Sequence, residues 1–349
     1  RDITLYVSIT MPVKDTNPDG WDEESVYQAL DGIEEQLRTM GLLPQRVPPL
    51  QFLWLLHVLL NPGHSWNDRP PGYSDEMLLR DQAVRLDTVM NVKTKMLELD
   101  NKFVKTMTIQ SWPLHWHGGR NREFIGSLMK LTDQIICPFF ITLNVLKLDQ
   151  VSEKARFNKK HLVISNQAKG FFLNLIPVFR SKLEHSNAMA VEIENSRQFI
   201  GQFFQVAIYA DSPRQAQQQA DSMKSIYRAM DINLQDDFFI GLKIFLCGLP
   251  MALPSDAKLL RDGLRRLKTV HTAVPAHCAP LVGDWKGGGS PVLLYTSRSG
   301  QVVSLDLFAN QQGNYNFSAI ATSGAGKSFW MNDLIENYLQ VGGRGLIID

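Results

Sequence analysis

Ile3, Leu5, Val7 and Ile9 alternate with Thr4, Tyr6, Ser8 and Thr10, a period of two that predicts a strand over residues 1–10 with one wet face. After a loop at 12–20, Val26, Leu30, Ile33, Leu37 and Met40 recur at helical spacing, predicting a helix over 22–40 stopped at Gly41. Residues 42–47 read as a second strand. Residues 50–60 read as a second helix, bounded by Pro48-Pro49 before it and Asn61-Pro62-Gly63 after it. The same order returns later. Residues 203–209 alternate as a strand, Ser212-Pro213 caps and opens a helix running to about Met230, 231–234 offers a short strand, and 238–249 an apolar helix ended by Pro250. Two β-α-β-α units of like pattern suggest the halves of one α+β domain with a long insertion between them.

Between these halves, 139–146 reads as a strand and 149–200 as largely helical with mixed charge (Glu153, Lys154, Arg156, Lys159, Lys160). A solvated helical face is the plain reading, and a helical arm for partner contact the sharper one. Pro177 must kink or break that stretch. The apolar run 50–60 has about half of the ~20 residues that a bilayer-crossing helix needs, so it reads as a core helix, with an amphipathic membrane contact as the alternative. The Pro- and Gly-rich stretch 61–73, with Trp66, is a loop suited to interaction.

Charge and cysteines narrow the classes. Thirty-six basic less 35 acidic residues leave +1, so no global field draws the chain to nucleic acid or an anionic membrane, and any such contact must be local. Cys137, Cys247 and Cys278 form no CxxC pair and read as reduced thiols of a cytosol-like compartment. His115 and His117 lack a third ligand at metal-site spacing, and His271 and His277-Cys278 fail likewise. There is no G-x-S-x-G or H-E-x-x-H run to support a serine hydrolase or zincin. The chain opens at Arg1 in a strand pattern and stops at Asp349 just after an apolar run, so further residues are expected at both ends.

One motif carries chemistry. Residues 291–308 read as a hairpin turning at Arg298-Ser299-Gly300, and a third strand over 315–320 leads into Ala321-Thr322-Ser323-Gly324-Ala325-Gly326-Lys327-Ser328. Met331, Leu334, Ile335, Tyr338 and Leu339 then mark a helix ended by Gly342-Gly343, before a strand over 345–349. Such a match arises by accident in roughly 3% of chains this long, so the frame of strand, loop, helix and strand is what gives it weight. A chain of phosphates must be wrapped by backbone N–H groups and a helix N-terminus. Gly324 and Gly326 allow φ > 0 and close approach, Lys327 supplies a point charge to the β- and γ-phosphates, and Ser328 a hydroxyl to Mg²⁺. Thr322, Ser323, Ala325 and Phe329 complete the candidate ATP-binding set. Ala321 stands where the usual motif has its first Gly, which predicts an altered turn. The chain ends before a Walker B strand, and Asp349 is a candidate water-polarising acid at a strand end.

The run from Ser304-Leu305-Asp306-Leu307-Phe308 through Asn314-Tyr315-Asn316 to Lys327-Ser328, with Gly342-Gly343 and Ile347-Ile348-Asp349, resembles the TraC-type ATPases of F-like conjugative type IV secretion systems. The upstream region is similar too, in residues 2–10, Leu59-Leu60-Asn61-Pro62 and Cys137-Pro138-Phe139. The resemblance implies an α+β N-terminal domain over 1–280 with a helical insertion at about 149–200. The beginning of a RecA-like α/β P-loop ATPase domain would follow over 281–349. It further implies ATP and Mg²⁺ as cofactors and assembly with itself, as a hexamer. Inner-membrane and channel components are the implied partners, together with the coupling protein. The implied place is the cytoplasmic face of the bacterial inner membrane, and the implied work is powering pilus assembly and transfer of DNA with its bound protein. A scaffold with little turnover and a DNA-pumping translocase are the competing readings. The latter would show a basic track, which this near-neutral portion lacks.

Overall fold

The computed structural model describes residues 5–9, 23–39, 44–63, 72–113, 115–126, 134–167, 177–253, 258–279, 287–296, 302–309, 313 and 315–348. The chain divides into two compact units, Arg1–Pro280 and Leu281–Asp349.

The first unit is mixed helix and antiparallel sheet. Its sheet comprises β1 (Met90–Val92), β2 (Leu97–Leu99), β3 (Lys102–Ser111), β4 (Phe139–Lys147), β5 (Phe199–Ala210), β6 (Asn233–Asp236) and β7 (Lys268–His271). The main order is β1-β2-β3-β5-β4, with β6 beside β3 and β7 beside β5. Phe103↔Ala210 to Thr108↔Gln205 set the register of β3 on β5, and Phe139↔Ile208 to Lys147↔Ile200 that of β4 on β5.

All of β5 is buried because both faces of the sheet are covered. Phe204, Val206 and Ile208 point to a core with Met107, Phe124, Met223 and Tyr227. The alternate residues Ala207 and Tyr209 point to the opposite core with Leu53, Leu56, Leu97 and Phe245. Helix α1 spans Glu23–Thr39, and α2 (Pro49–Leu60) supplies Leu53, Leu56 and Leu60 to that second core. This confirms α2 as a core helix, and among the described residues no helix is long and apolar enough to cross a membrane. Its end is held by Asn61, whose buried amide donates to the His57 and Ala83 carbonyls at 2.8 and 2.9 Å and accepts from the Arg85 N–H at 3.0 Å. Trp66 lies outside the described residues.

The later half of the domain matches its pattern. After the short α3 (Leu79–Ala83) and the long helices α4 (Gln150–Gln167) and α5 (Pro177–Glu194), α6 occupies Pro213–Arg228. Ser212 Oγ accepts the Gln215 N–H at 3.2 Å, and Pro213 fills the first helical position. Pro177 opens α5, where its missing N–H costs nothing. Helix α7 is shorter than its apolar run, Gly241–Cys247, because Phe239 turns into the left-handed region at φ 63° just before it. A short α8, Ala273–Cys278, follows β7.

Of the first β-α-β-α unit both helices form, as α1 and α2, but among the described residues its two strands do not. Residues 5–9 and 44–48 contribute no rung to the sheet among the described residues, and Leu5 and Val7 stand 48% and 58% exposed. Alternation defines a strand's two faces but cannot supply a neighbour to pair with. The sheet positions are taken instead by β1, β2 and β3, which the pattern did not single out. The three cysteines are buried and none is in a disulfide.

Candidate functional site

In the second unit, β8 (Leu293–Thr296) and β9 (Val302–Leu305) form the expected antiparallel hairpin, with Leu293↔Leu305 and Thr296↔Val302 at its ends. Its turn at 298–300 lies outside the described residues. The helix after the loop, α9, spans Lys327–Gln340 and ends as its glycines predict. Gly342 is left-handed at φ 86°, its N–H reaches the Leu339 carbonyl at 3.0 Å, and the Gly343 N–H reaches Tyr338 at 2.8 Å. That pair of bonds is a Schellman stop.

Side chains dock α9 on the hairpin. Leu334 is buried, as is Leu293. Tyr338 donates its hydroxyl to Asp306 Oδ1 at 3.1 Å and accepts the Leu307 N–H at 2.5 Å. Phe308 meets Tyr338 edge-on at 5.3 Å between centroids, and Phe317 meets Trp330 at 6.2 Å. Pattern reasoning missed the Asp306–Tyr338 anchor, since Asp306 reads as the polar member of an alternating strand. A tyrosine in the otherwise aliphatic stripe of α9 is the signal that could have found it.

The candidate loop precedes this anchored helix. Thr322, Ser323, Gly324, Ala325, Gly326, Lys327, Ser328 and Phe329 are brought together as one exposed turn running into the first turn of α9. Gly324 and Gly326 adopt φ 80° and 84°, the left-handed region that glycine enters without steric cost. The Ala325 N–H donates to the Thr322 carbonyl at 3.2 Å, and the Trp330 N–H to Gly326 at 2.9 Å. Gly326 is the N-cap and offers no side-chain acceptor, and no acidic residue stands in the first turn. Helix geometry leaves the first-turn amides of residues 327–329 without intrahelical acceptors at the positive end of the dipole. Lys327 and Ser328 sit on that turn, exposed to solvent. Chemically this is a set of hydrogen-bond donors, one cation and one hydroxyl, all suited to an anion. The donor set fits a polyphosphate, and the Ser328 hydroxyl could take a place on its Mg²⁺.

The flanking strands differ from expectation. Residues 315–320 and 345–348 carry no ladder, with Ile320 93% and Leu346 87% exposed. The alternating run 315–320 and the apolar run 346–348 each suit a strand, which needs paired neighbours that the described residues do not place beside them. Asp349 lies outside the described residues. Among those residues no group of three or more His, Cys, Asp or Glu stands together to hold a metal, and His115, His117 and His277 are exposed.

The first unit holds a separate set of buried charges. Lys105, only 1% exposed on β3, donates to Gln217 Oε1 at 2.6 Å and lies 3.4 Å from Asp236, which also takes the Lys224 ammonium at 2.6 Å. Burial lowers the Lys105 pKa below the usual lysine range. These groups pin α6 to the sheet and form no open cleft.

Comparison with known proteins covers the first unit. The family model described as TraC protein matches residues 1–253, stopping short of the loop at 322–328. Protein TraC of Escherichia coli (strain K12) is 25% identical over 253 residues, which is 68% of this chain and 28% of that relative. The chain thus spans less than a third of the curated relative it matches. Because the family match extends over well more than half of its residues, the chain belongs to the TraC family of conjugative type IV secretion components.

Proposed function

We propose that this protein is the ATP-binding and ATP-hydrolysing motor of a conjugative type IV secretion system, powering pilus assembly and transfer of DNA with its bound protein. The observation that carries this reading is the turn at 322–328. Two left-handed glycines deliver Lys327 and Ser328 onto a helix N-terminus that no side chain caps. An uncapped N-terminus preceded by such a turn favours a phosphate chain.

In this reading the amides of 324–328 would hold the phosphate chain of ATP, Lys327 would neutralise its charge, and the Ser328 hydroxyl would hold the Mg²⁺. The bound Mg²⁺–ATP supplies a phosphoanhydride whose cleavage is strongly favourable. This chain's residues bind and orient it. Asp349, following the apolar 346–348 segment, is the acid proposed to polarise water. The hairpin and the Asp306–Tyr338 anchor fix α9, so the loop is presented from a packed element. The N-terminal unit over 1–280 is the proposed docking part for inner-membrane and channel components and the coupling protein. Copies of the chain assemble as a hexamer on the cytoplasmic face of the inner membrane.

The test is steady-state phosphate release by the intact protein, with Lys327→Ala as control and a fluorescent-nucleotide titration beside it. Release that falls to background in Lys327→Ala is the expected result. Tight binding without release would make the protein a nucleotide-dependent scaffold. Equal affinity in both proteins would remove the assignment of Lys327.

A further inference from the structure

We propose that the turn bearing Phe238 and Phe239 is a lipid-contact tip that seats the N-terminal unit on an anionic bilayer surface. The inference gives residue-level content to the membrane-face location proposed above, and it makes no use of the nucleotide loop.

Three features meet at this turn, between β6 and α7. Phe238 and Phe239 are adjacent and stand 46% and 79% exposed, although each carries a large apolar surface that a folded chain gains by burying. Phe239 is also left-handed at φ 63°, a conformation that favours glycine or asparagine and disfavours a bulky aromatic. A glycine there would be easier for the backbone and cheaper in water. Folding therefore gives no reason for the aromatic ring, and a contact outside the fold does.

The surroundings select the partner. The Phe239 N–H donates to the Thr94 carbonyl at 2.8 Å, which joins this turn to the connection between β1 and β2. That connection brings the Lys95 ammonium over the Phe238 ring, 6.0 Å from its centroid. Lys243, exposed on the first turn of α7, adds a second cation, and exposed Leu246 a further apolar group one turn on. The nearby acids are paired with cations of their own. Asp236 is engaged by Lys224 and Lys105, Asp237 is buried against Arg266, and Glu98 is matched by Lys93 at 2.5 Å. The exposed tip is thus aromatic and cationic, in a chain whose net charge is only +1. Aromatic rings settle at headgroup depth while lysine stems reach to lipid phosphates, and stable anchoring needs both an apolar and an electrostatic signal. This turn carries both.

The test is co-sedimentation of the intact protein with vesicles of phosphatidylethanolamine and phosphatidylglycerol, against vesicles of phosphatidylcholine alone. The protein is expected to pellet with the anionic vesicles and to remain largely in solution with the neutral ones. Phe238→Ser and Phe239→Ser should each weaken anionic binding about ten-fold, and Lys95→Glu with Lys243→Glu should abolish the preference for anionic lipid. Phe239→Gly guards against a folding artefact: its thermal midpoint should hold or rise while vesicle binding falls. Absence of binding to anionic vesicles, or phenylalanine variants that bind like the parent, would overturn the proposal. Unchanged vesicle binding by Phe239→Gly together with loss of self-assembly in sedimentation velocity would likewise overturn it, and would assign the tip to a protein contact. A Lys327→Ala protein that loses nucleotide but keeps vesicle binding separates this inference from the motor reading.

Discussion

The Arg266 guanidinium donates through Nε to Asp237 Oδ1 at 2.7 Å, and the Asp237 side chain has no exposure to solvent. Thr108 adds its hydroxyl to the same oxygen at 2.9 Å. Despite these partners, burial pushes the Asp237 carboxyl up from 3.8 to about 6, with the bonds from Arg266 and Thr108 pulling the other way. Between these two values the folded chain holds a proton that the unfolded chain has released. This group's contribution to stability is therefore present below about pH 4 and lost as pH rises through 6, to the extent of roughly 3 kcal/mol. The prediction is that urea midpoints of the parent fall, relative to Asp237→Asn, between pH 4 and pH 7. A parent that gains on the variant over that interval would mean that the Arg266 pairing outweighs burial.

A second prediction concerns the cap of α6. Ser212 Oγ is the acceptor for the Gln215 N–H, and Ala216, Ala220 and Met223 on the same helix are buried against the sheet. Ser212→Ala should cost about 1 kcal/mol of unfolding free energy, while Ser212→Asp should be nearly neutral. Equilibrium denaturation of the three proteins checks this, and equal stability of Ser212→Ala and the parent would refute it.

That cap was legible because a helix start is a local event, written in Ser212-Pro213 and the spacing that follows. The same holds for β4, β5, the hairpin of β8 and β9, and the glycine stop of α9. Strand β3 was not legible, although it lies in the middle of the sheet. Its buried run includes Lys105, Thr106 and Thr108, whose partners Gln217, Asp236 and Asp237 lie more than a hundred residues away in sequence. Polar residues satisfied at such range erase the apolar signature of a central strand. The opposite error befell residues 5–9, where alternation was present and, among the described residues, the pairing partner was not. For the loop, residue types and the positive φ at Gly324 and Gly326 were readable in advance. The Asp306–Tyr338 anchor that steadies it was not, because it joins two distant segments through a single tyrosine hydroxyl.

A third prediction tests the link between α4 and the rest of its unit. Glu153 of α4 accepts from Arg261 Nη1 at 2.6 Å, and both side chains are largely withdrawn from water. Removing one member leaves the other charge desolvated, so Glu153→Leu or Arg261→Met should each cost about 3 kcal/mol. The double variant should recover most of that loss, since two apolar groups need no partner. A double-mutant cycle by chemical denaturation reads the coupling, and simple additivity of the single losses would show that the pair is not interacting.

The last prediction isolates the loop's backbone from its side chains. A Cβ at Gly324 or Gly326 would meet no heavy atom within 4 Å, so alanine there is opposed by φ alone. The left-handed conformation costs an alanine about 1–2 kcal/mol, and the turn is exposed, so the penalty should be met by local rearrangement and leave global stability almost unchanged. Rearrangement turns the amides of 324–328 away from a common focus, which Lys327 alone cannot replace. Gly326→Ala should therefore keep the thermal midpoint of the parent and lose at least ten-fold in affinity for an ATP analogue with Mg²⁺. Gly326→Asn, which tolerates positive φ, should fall between them. If all three bind the analogue equally, the amides do not hold phosphate, however the lysine behaves.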